Sequence, residues 1–303
     1  KNKIFPKKVI ILDDHDQKKL GKFNNADYAM LNNTYELEAA HMKPKETLIE
    51  TLNKNNIKFD AIMNPDVNSD QLFSVISKSN IKLVLVSVYA GQILKEKILS
   101  LDKYYLHIHG GILPEYRGST TMYYSLLKSN TLGASAIFLN QGIDTGDIIL
   151  QKSFEITDQD NYKSLLNTAY IECSNILYNA LLMFKKGNVK AYKQNEIHPT
   201  GSYFSGRIHG DENLNWSQTS RELFNFIRAI CKPGPCARAL LNKKTMKINK
   251  AEILKGAQNN KYIVGSIVDK TKNTLIVKTL DNFIKITEYE FEGNINIGDR
   301  FEL

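Results

Sequence analysis

The apolar positions of the first hundred residues fall into short runs separated by longer periodic stretches. Lys8–Leu12 (KVIIL) and Phe59–Met63 read as strands because they are compact and rich in β-branched residues. Ile81–Val88 (IKLVLVSV) is a continuous apolar run, the pattern of a strand buried on both faces. Between them, Pro44–Asn55 carries Leu48, Ile49 and Leu52 on one helical face, and Gln71–Ser77 forms a second short helix. Gly21–Met42 shows no clear period. The alternation of strand and helix predicts an α/β domain with a parallel sheet, which places ligands at the carboxyl ends of its strands.

Further on, Tyr104–His109 reads as a strand whose alternate residues His107 and His109 face the same side. Gly110 and Gly111 end it and allow a sharp turn. A helix follows at Ser119–Lys128, then an apolar strand at Ala134–Leu139. A long helix spans Asn161–Lys185, where Leu165, Leu166, Ala169, Cys173 and Leu177 recur at helical spacing, so Cys173 is expected in the core. Val189–Tyr192 is strand-like, Ser220–Ile230 helical, and the lone Trp216 is expected to be buried. After the rigid turn Cys231–Cys236 the texture changes to short strands: Thr245–Ile253, Tyr262–Val268, Leu275–Thr279 and Asn282–Tyr289, with a late turn and strand at Asn296–Phe301. This predicts a small C-terminal β-barrel.

Composition adds limits. With 303 residues, 42% hydrophobic and 24% charged, the chain is ordinary for a globular protein of one or two domains. No apolar run reaches the roughly 20 residues a bilayer requires, and Lys1–Pro6 has no signal-like apolar core. Three cysteines without CxxC spacing fit a reducing compartment, so a cytoplasmic protein with no membrane partner is expected. A net charge of +8 suits acidic partners such as nucleotides or tRNA, although lysine-rich surfaces carry such charge without one. The residues after the first strand, Asp13-Asp14-His15-Asp16, lack the glycine-rich phosphate loop of a dinucleotide site.

The candidate chemistry lies in residues 104–149. His107 and His109 share a face, Gly111–Gly118 (GILPEYRG) forms a tight loop, and Gly142–Asp147 (GIDTGD) brings an aspartate between glycines. His-x-His on a strand is also a metal-binding arrangement, with Asp144 as a third ligand; what the two loops resemble favours a non-metal reading, and no metal is expected.

This run resembles the formyltransferases that use N10-formyltetrahydrofolate. Their signature is Asn-x-His, a Leu-Pro-x-x-x-Gly loop, and an aspartate some 35 residues beyond the histidine. His109 takes the signature histidine, residues 111–118 the loop, and Asp144 the aspartate, 35 positions on. Where the family carries asparagine this chain carries His107. The resemblance implies a Rossmann-like catalytic domain over residues 1–205, a linking helix and turn over 206–238, and an OB-like barrel over 239–303. It implies N10-formyltetrahydrofolate as cofactor, bound by Tyr89, Gly91, Gln92, Ile93, Leu94, Ile143 and Asp144. It implies His107, His109 and Asp144 as catalytic, with Leu113, Pro114, Tyr116, Arg117, Gly118, Gln194 and Tyr203 around the acceptor.

Such transfer needs proton removal from the attacking amine and donors for the developing oxyanion, which suits a histidine near its titration range beside a buried aspartate. Three acceptor readings stay open. One is a small amine, foremost the amino group of a nucleotide-linked amino sugar. Another is methionyl-tRNA. The third is a non-catalytic binding module, since His107 replaces an oxyanion donor. Leu241–Leu303 holds 11 basic and 8 acidic residues, a net of +3, which is no clear phosphate-binding stripe. A homodimer is also left open.

Overall fold

The computed structural model describes residues 4–12, 47–88, 92–128, 131–257 and 262–302. The stretch Gly21–Met42, the start of the helix at Pro44, and Tyr89 and Gly91 lie outside the described residues. Among those described, no helix is long and apolar enough to cross a membrane.

The N-terminal half is mixed α/β. Strands β1 (Val9–Leu12) and β2 (Phe59–Ile62) pair in parallel. Helix α1 (Leu48–Lys54) precedes β2, and Thr47 and Glu50 close its first turn as a capping box. Helix α2 (Asp70–Ser77) is capped by Ser69 and buries Leu72 and Ile76, followed by β3 (Leu83–Leu85) and the one-turn α3 (Glu96–Leu99). A four-stranded sheet then runs β3, β4 (Tyr104–His109), β6 (Thr131–Phe138), β7 (Ile148–Glu155). β3 and β4 are parallel; β6 and β7 form an antiparallel hairpin beside them. The parallel expectation thus holds for the first strands, and the hairpin that follows makes the sheet mixed.

Helix α4 (Thr121–Lys128) follows the short strand β5 (Arg117–Gly118). Helix α5 (Tyr162–Lys186) lies on the hairpin, with Ile176 and Ala180 buried against Leu106, Ala134, Ala136 and Ile149. Small residues on β6 let the helix approach closely, and Cys173 packs at the edge of this cluster. Asn161 and Ser164 cap the start of α5, and Gly187 in the left-handed region (φ 69°) ends it, where a side chain would be strained.

Three strand expectations are corrected. Ile81–Val88 is not a fully buried strand: only Leu83–Leu85 is strand, and Leu85 and Val88 are 45% and 38% exposed. Among the described residues β3 is the outer strand of its sheet, and the carbonyl of Val86, just past its end, is taken by the His107 side chain of β4. Val189–Tyr192 makes only a single bridge, Tyr192 to Ile148. In place of Tyr262–Val268, the strand is Ile267–Lys270, because Gly265 (φ 79°) turns the chain just before it.

After α6 (Gln194–Ile197) and β8 (Tyr203–Phe204), helix α7 (Ser220–Ile230) leads into the C-terminal sheet. Its strands are β9 (Ala237–Leu241), β10 (Lys244–Ile253), β11 (Ile267–Lys270), β12 (Leu275–Lys278) and β13 (Phe283–Glu290), all antiparallel neighbours in the order β11-β12-β13-β10-β9. Arg300 bridges Ser266 and Phe301 bridges Leu241, so the last residues join the two outer strands and curl the sheet into the expected barrel. Trp216 is fully buried and stacks on Phe301 at 4.7 Å between ring centroids. Burying a side chain of that size contributes roughly 4–6 kcal/mol. One apolar core runs from Tyr123 and Leu126 of α4 through Leu223 and Ile227 of α7 into the barrel.

Candidate active site

β4 delivers His107 and His109 to the same face, as alternation requires. His109 is buried, and its Nε2 lies 2.5 Å from the Tyr116 carbonyl. A carbonyl only accepts, so Nε2 carries the hydrogen and Nδ1 faces inward. Nδ1 stands 3.5 Å from Asp144 Oδ2. Burial pushes the His109 pKa down; Asp144 and the Tyr116 carbonyl oppose that, and His107 adds to it. The net direction is down, which favours the neutral imidazole over an ion pair with the carboxylate. His107 is half-buried, and its Nδ1 sits 3.0 Å from the Val86 carbonyl, which fixes the hydrogen on Nδ1 by the same reasoning.

The loops hold Asp144 in place. Asp144 lies in the left-handed region (φ 52°), and its Oδ2 accepts the Gly118 N–H at 2.8 Å. Gly118 (φ 93°) passes so near β8 that an added Cβ would stand 2.1 Å from the Phe204 carbonyl oxygen. At Gly146 a Cβ would stand 1.5 Å from the Phe138 carbonyl oxygen, so the aspartate loop can lie on the end of β6 only with glycine there. Gln194 ties three parts together. Its amide donates to the carbonyls of Asp144 (2.6 Å) and Gly146 (2.8 Å), and its Oε1 accepts from Arg117 Nε at 2.9 Å. Buried Arg117 also donates to the Thr200 carbonyl (3.1 Å) and the Tyr203 hydroxyl (3.3 Å), with the Tyr203 ring 5.0 Å beneath it. Tyr116 stacks on Phe204 at 5.4 Å.

The structure therefore brings His107, His109 and Asp144 together, with one polar atom from each lying within 4.8 Å of the other two. Gly118, Tyr116 and Gln194 touch this group, Arg117 joins it through Gln194, and Tyr203 joins it through Arg117. Leu113 is buried in the core, and the Pro114 carbonyl accepts the Ser202 N–H at 3.0 Å and stands against Gly201, so both shape the loop. Of the expected folate contacts, Leu94 is also in the core, whereas Ile93 and Ile143 are exposed. Gln92 has a buried Oε1 with no hydrogen-bond partner among the described residues. A buried acceptor of that kind has capacity for a hydrogen from a water or a ligand.

Three residues went unread in the sequence. Buried Ser135 accepts from Leu113 N (3.2 Å) and donates to the Gly111 carbonyl (2.6 Å). Gln151 donates to the Leu113 carbonyl (2.8 Å) and to Ser135 Oγ (2.9 Å). The two are cross-strand partners on β6 and β7, and together they pin the Leu-Pro loop to the sheet. A serine inside the apolar run GASAIF was the available signal. Asn68 holds the 93–95 segment, donating to the Ile93 carbonyl at 3.0 Å and accepting from Lys95 N at 2.7 Å.

Residues 34–181 match the family model described as formyl transferase, and residues 208–298 match that of the formyl transferase C-terminal domain. The chain is 32% identical over 243 residues to a methionyl-tRNA formyltransferase of Fusobacterium nucleatum, covering 79% of this chain and 76% of that protein. Among solved structures it superposes on an N-formyltransferase of Helicobacter canadensis with a TM-score of 0.62 at 21% identity, covering 94% of this chain and 100% of that one. It also superposes on HypX of Aquifex aeolicus with a TM-score of 0.56 at 15% identity, covering 93% of this chain and 43% of HypX, so it spans less than half of that protein. The matched domains, and the relative covered over three quarters of its length, show that this chain belongs to the formyltransferase family of one-carbon group transferases.

Proposed function

We propose that the chain moves the formyl group of N10-formyltetrahydrofolate onto a primary amine, and that His107, His109 and Asp144 carry the reaction. The observation behind this reading is their convergence within 4.8 Å. The folate supplies an activated formyl carbon. His109 Nδ1, the ring nitrogen left with a lone pair, takes the proton from the attacking amine and would return it to the folate nitrogen as that nitrogen's bond to the formyl carbon breaks. Asp144, 3.5 Å away, stabilises the imidazolium so formed. Because the His107 Nδ1–H is given to Val86, this side chain offers a hydrogen to the formyl oxygen only through Nε2, and only when doubly protonated. The Gln92 Oε1 suits the N–H donors of a pterin, which would lie between residues 89–94 and the loop before Asp144.

For the acceptor we favour a nucleotide-linked amino sugar. On the barrel, Lys247, Lys250 and Lys285 stand opposite Glu290, Glu288 and Glu252 across β10 and β13. These three cross-strand pairs carry no net charge, so they form no basic stripe for the backbone of a tRNA. Methionyl-tRNA is the second reading, favoured by the 32% identity to the F. nucleatum enzyme. On either reading, residues 1–205 do the chemistry, 206–238 link, and 239–303 form the supporting barrel. The test offers N10-formyltetrahydrofolate with nucleotide amino sugars and with methionyl-tRNA, and reads mass gain of one formyl group. Gain on the sugar alone is expected. Gain on methionyl-tRNA alone selects the second reading, and none on any amine leaves a binding module.

A further inference from the structure

We propose that His107, His109 and Asp144 form a site for a divalent transition metal of the zinc class, and that the bound metal blocks formyl transfer. Three acceptors and no donor meet there. The His109 Nε2–H is used on the Tyr116 carbonyl and the His107 Nδ1–H on the Val86 carbonyl, so the remaining ring nitrogens present lone pairs. Asp144 adds a carboxylate, itself held by the Gly118 N–H at 2.8 Å. Lone pairs and a negative oxygen crowded into one partly buried space call for a cation between them.

The surroundings are those of a metal site. Imidazoles that ligate metals hand their other N–H to a carbonyl or carboxylate, which fixes ring orientation, and both histidines do so here. The spacing also fits. Tetrahedral zinc with arms of roughly 2.0–2.1 Å sets its ligands about 3.4 Å apart, and His109 Nδ1 and Asp144 Oδ2 are 3.5 Å apart. One ligand atom from each of the three residues lies within 4.8 Å of the others, so small side-chain rotations complete the triangle. Two imidazoles with one carboxylate select zinc, cobalt or nickel over magnesium or calcium, which take oxygen ligands. Three protein ligands leave a fourth position for water. An amide at position 107 would supply no imidazole and lower the donor set to two strong ligands. The site therefore depends on His107, and on the orientation of the two rings this proposal departs from the expectation of no metal.

The blocking half rests on the reading above that His109 Nδ1 accepts the amine proton: a metal on that nitrogen takes the same lone pair. The full chain, stripped with EDTA, would be titrated with cobalt(II) and then zinc(II). We expect one cobalt per chain with a four-coordinate visible spectrum, displaced by one zinc. X-ray absorption at the zinc edge of the wild type should count two imidazoles and needs no variant. His107→Asn and His107→Gln should each weaken zinc by more than about 100-fold, since losing a ligand costs more than losing an outer-shell partner. His198→Gln and His209→Gln, at exposed positions, should not. One equivalent of zinc should slow transfer by about 100-fold or more, the worth of a lost proton acceptor, and EDTA should restore it. No stoichiometric binding, unchanged affinity in both His107 variants, or a thiolate-to-cobalt band from the cysteines would overturn the site. Binding without inhibition would overturn the blocking role. Intact binding in a chain that formylates no amine would sink the functional reading and leave the metal site standing.

Discussion

The two antiparallel regions of this chain treat their polar groups in opposite ways. The barrel sets charge against charge. Lys247, Lys250 and Lys285 stand opposite glutamates across β10 and β13, and Lys232 reaches Glu290 at 2.6 Å. The β4–β6–β7 region satisfies its frame, through Ser135, Gln151 and Gln194, but leaves His107, His109 and Asp144 aimed at one another. The difference separates scaffold from site: one sheet spreads its charges in opposed pairs, and the other gathers three polar side chains into one space.

Substitutions should make that contrast measurable. The largest effect should come from His109→Asn and Asp144→Asn, each lowering transfer by about 100- to 10,000-fold as a general base or its partner is lost. Unfolding curves beside the rate assays should stay near wild type; a variant that loses activity only by unfolding would move these residues from site to scaffold. His107→Asn should keep or raise activity, since it restores the residue of the resembling formyltransferases, and steady-state rates check it.

In the barrel the balance reverses. Trp216→Ala should destabilise by roughly 3–5 kcal/mol, the usual cost of truncating a buried aromatic. Activity per folded molecule should be unchanged. Denaturant titration and active-site counting test both halves of the statement, and a loss of turnover in folded Trp216→Ala would show that barrel and site are coupled.

Gln194→Leu should lie between the two. It removes the donors to Asp144 and Gly146 and leaves Arg117 without one acceptor, at about 1–3 kcal/mol for buried groups left unpaired. Its mark should be a fall in both rate and stability, seen in parallel assays.

The smallest effect concerns acid. Burial works against ionised Asp281, yet the Ser220 N–H at the start of α7 and the Thr279 hydroxyl overcome it and hold the carboxyl below its usual range. A carboxyl lowered on folding adds stability that is present above the unfolded value of about 3.9 and lost as pH falls below it. Asp281→Asn should flatten the acid limb of the stability curve and leave neutral-pH turnover alone. An unchanged acid limb would mean that other carboxylates set it.

Much of this was legible in advance. Alternation alone put His107 and His109 on one face, and the glycines of GIDTGD marked a loop in which only small residues fit. The shift from helical to short-strand texture after Cys236 announced the barrel. Other features left weak traces. β9 escaped notice because Ala237–Leu241 is short and follows a Pro-Gly-Pro turn. Ile81–Val88 looked buried because hydropathy records apolar content and not a strand's place in its sheet.

What the sequence determined by itself is local: which residues alternate, where helices are capped, where glycine is needed, and which residue types can move a proton. These follow from backbone geometry within a few positions. What only the tertiary structure decided is which nitrogen of each histidine faces inward, and what sets Asp144 beside them. The Val86 and Tyr116 carbonyls fix the rings, and Gly118 and Gln194 fix the aspartate, from positions 7 to 50 residues away. No local pattern records such partners, because a hydrogen bond depends on direction in space and the chain order carries only distance along the backbone.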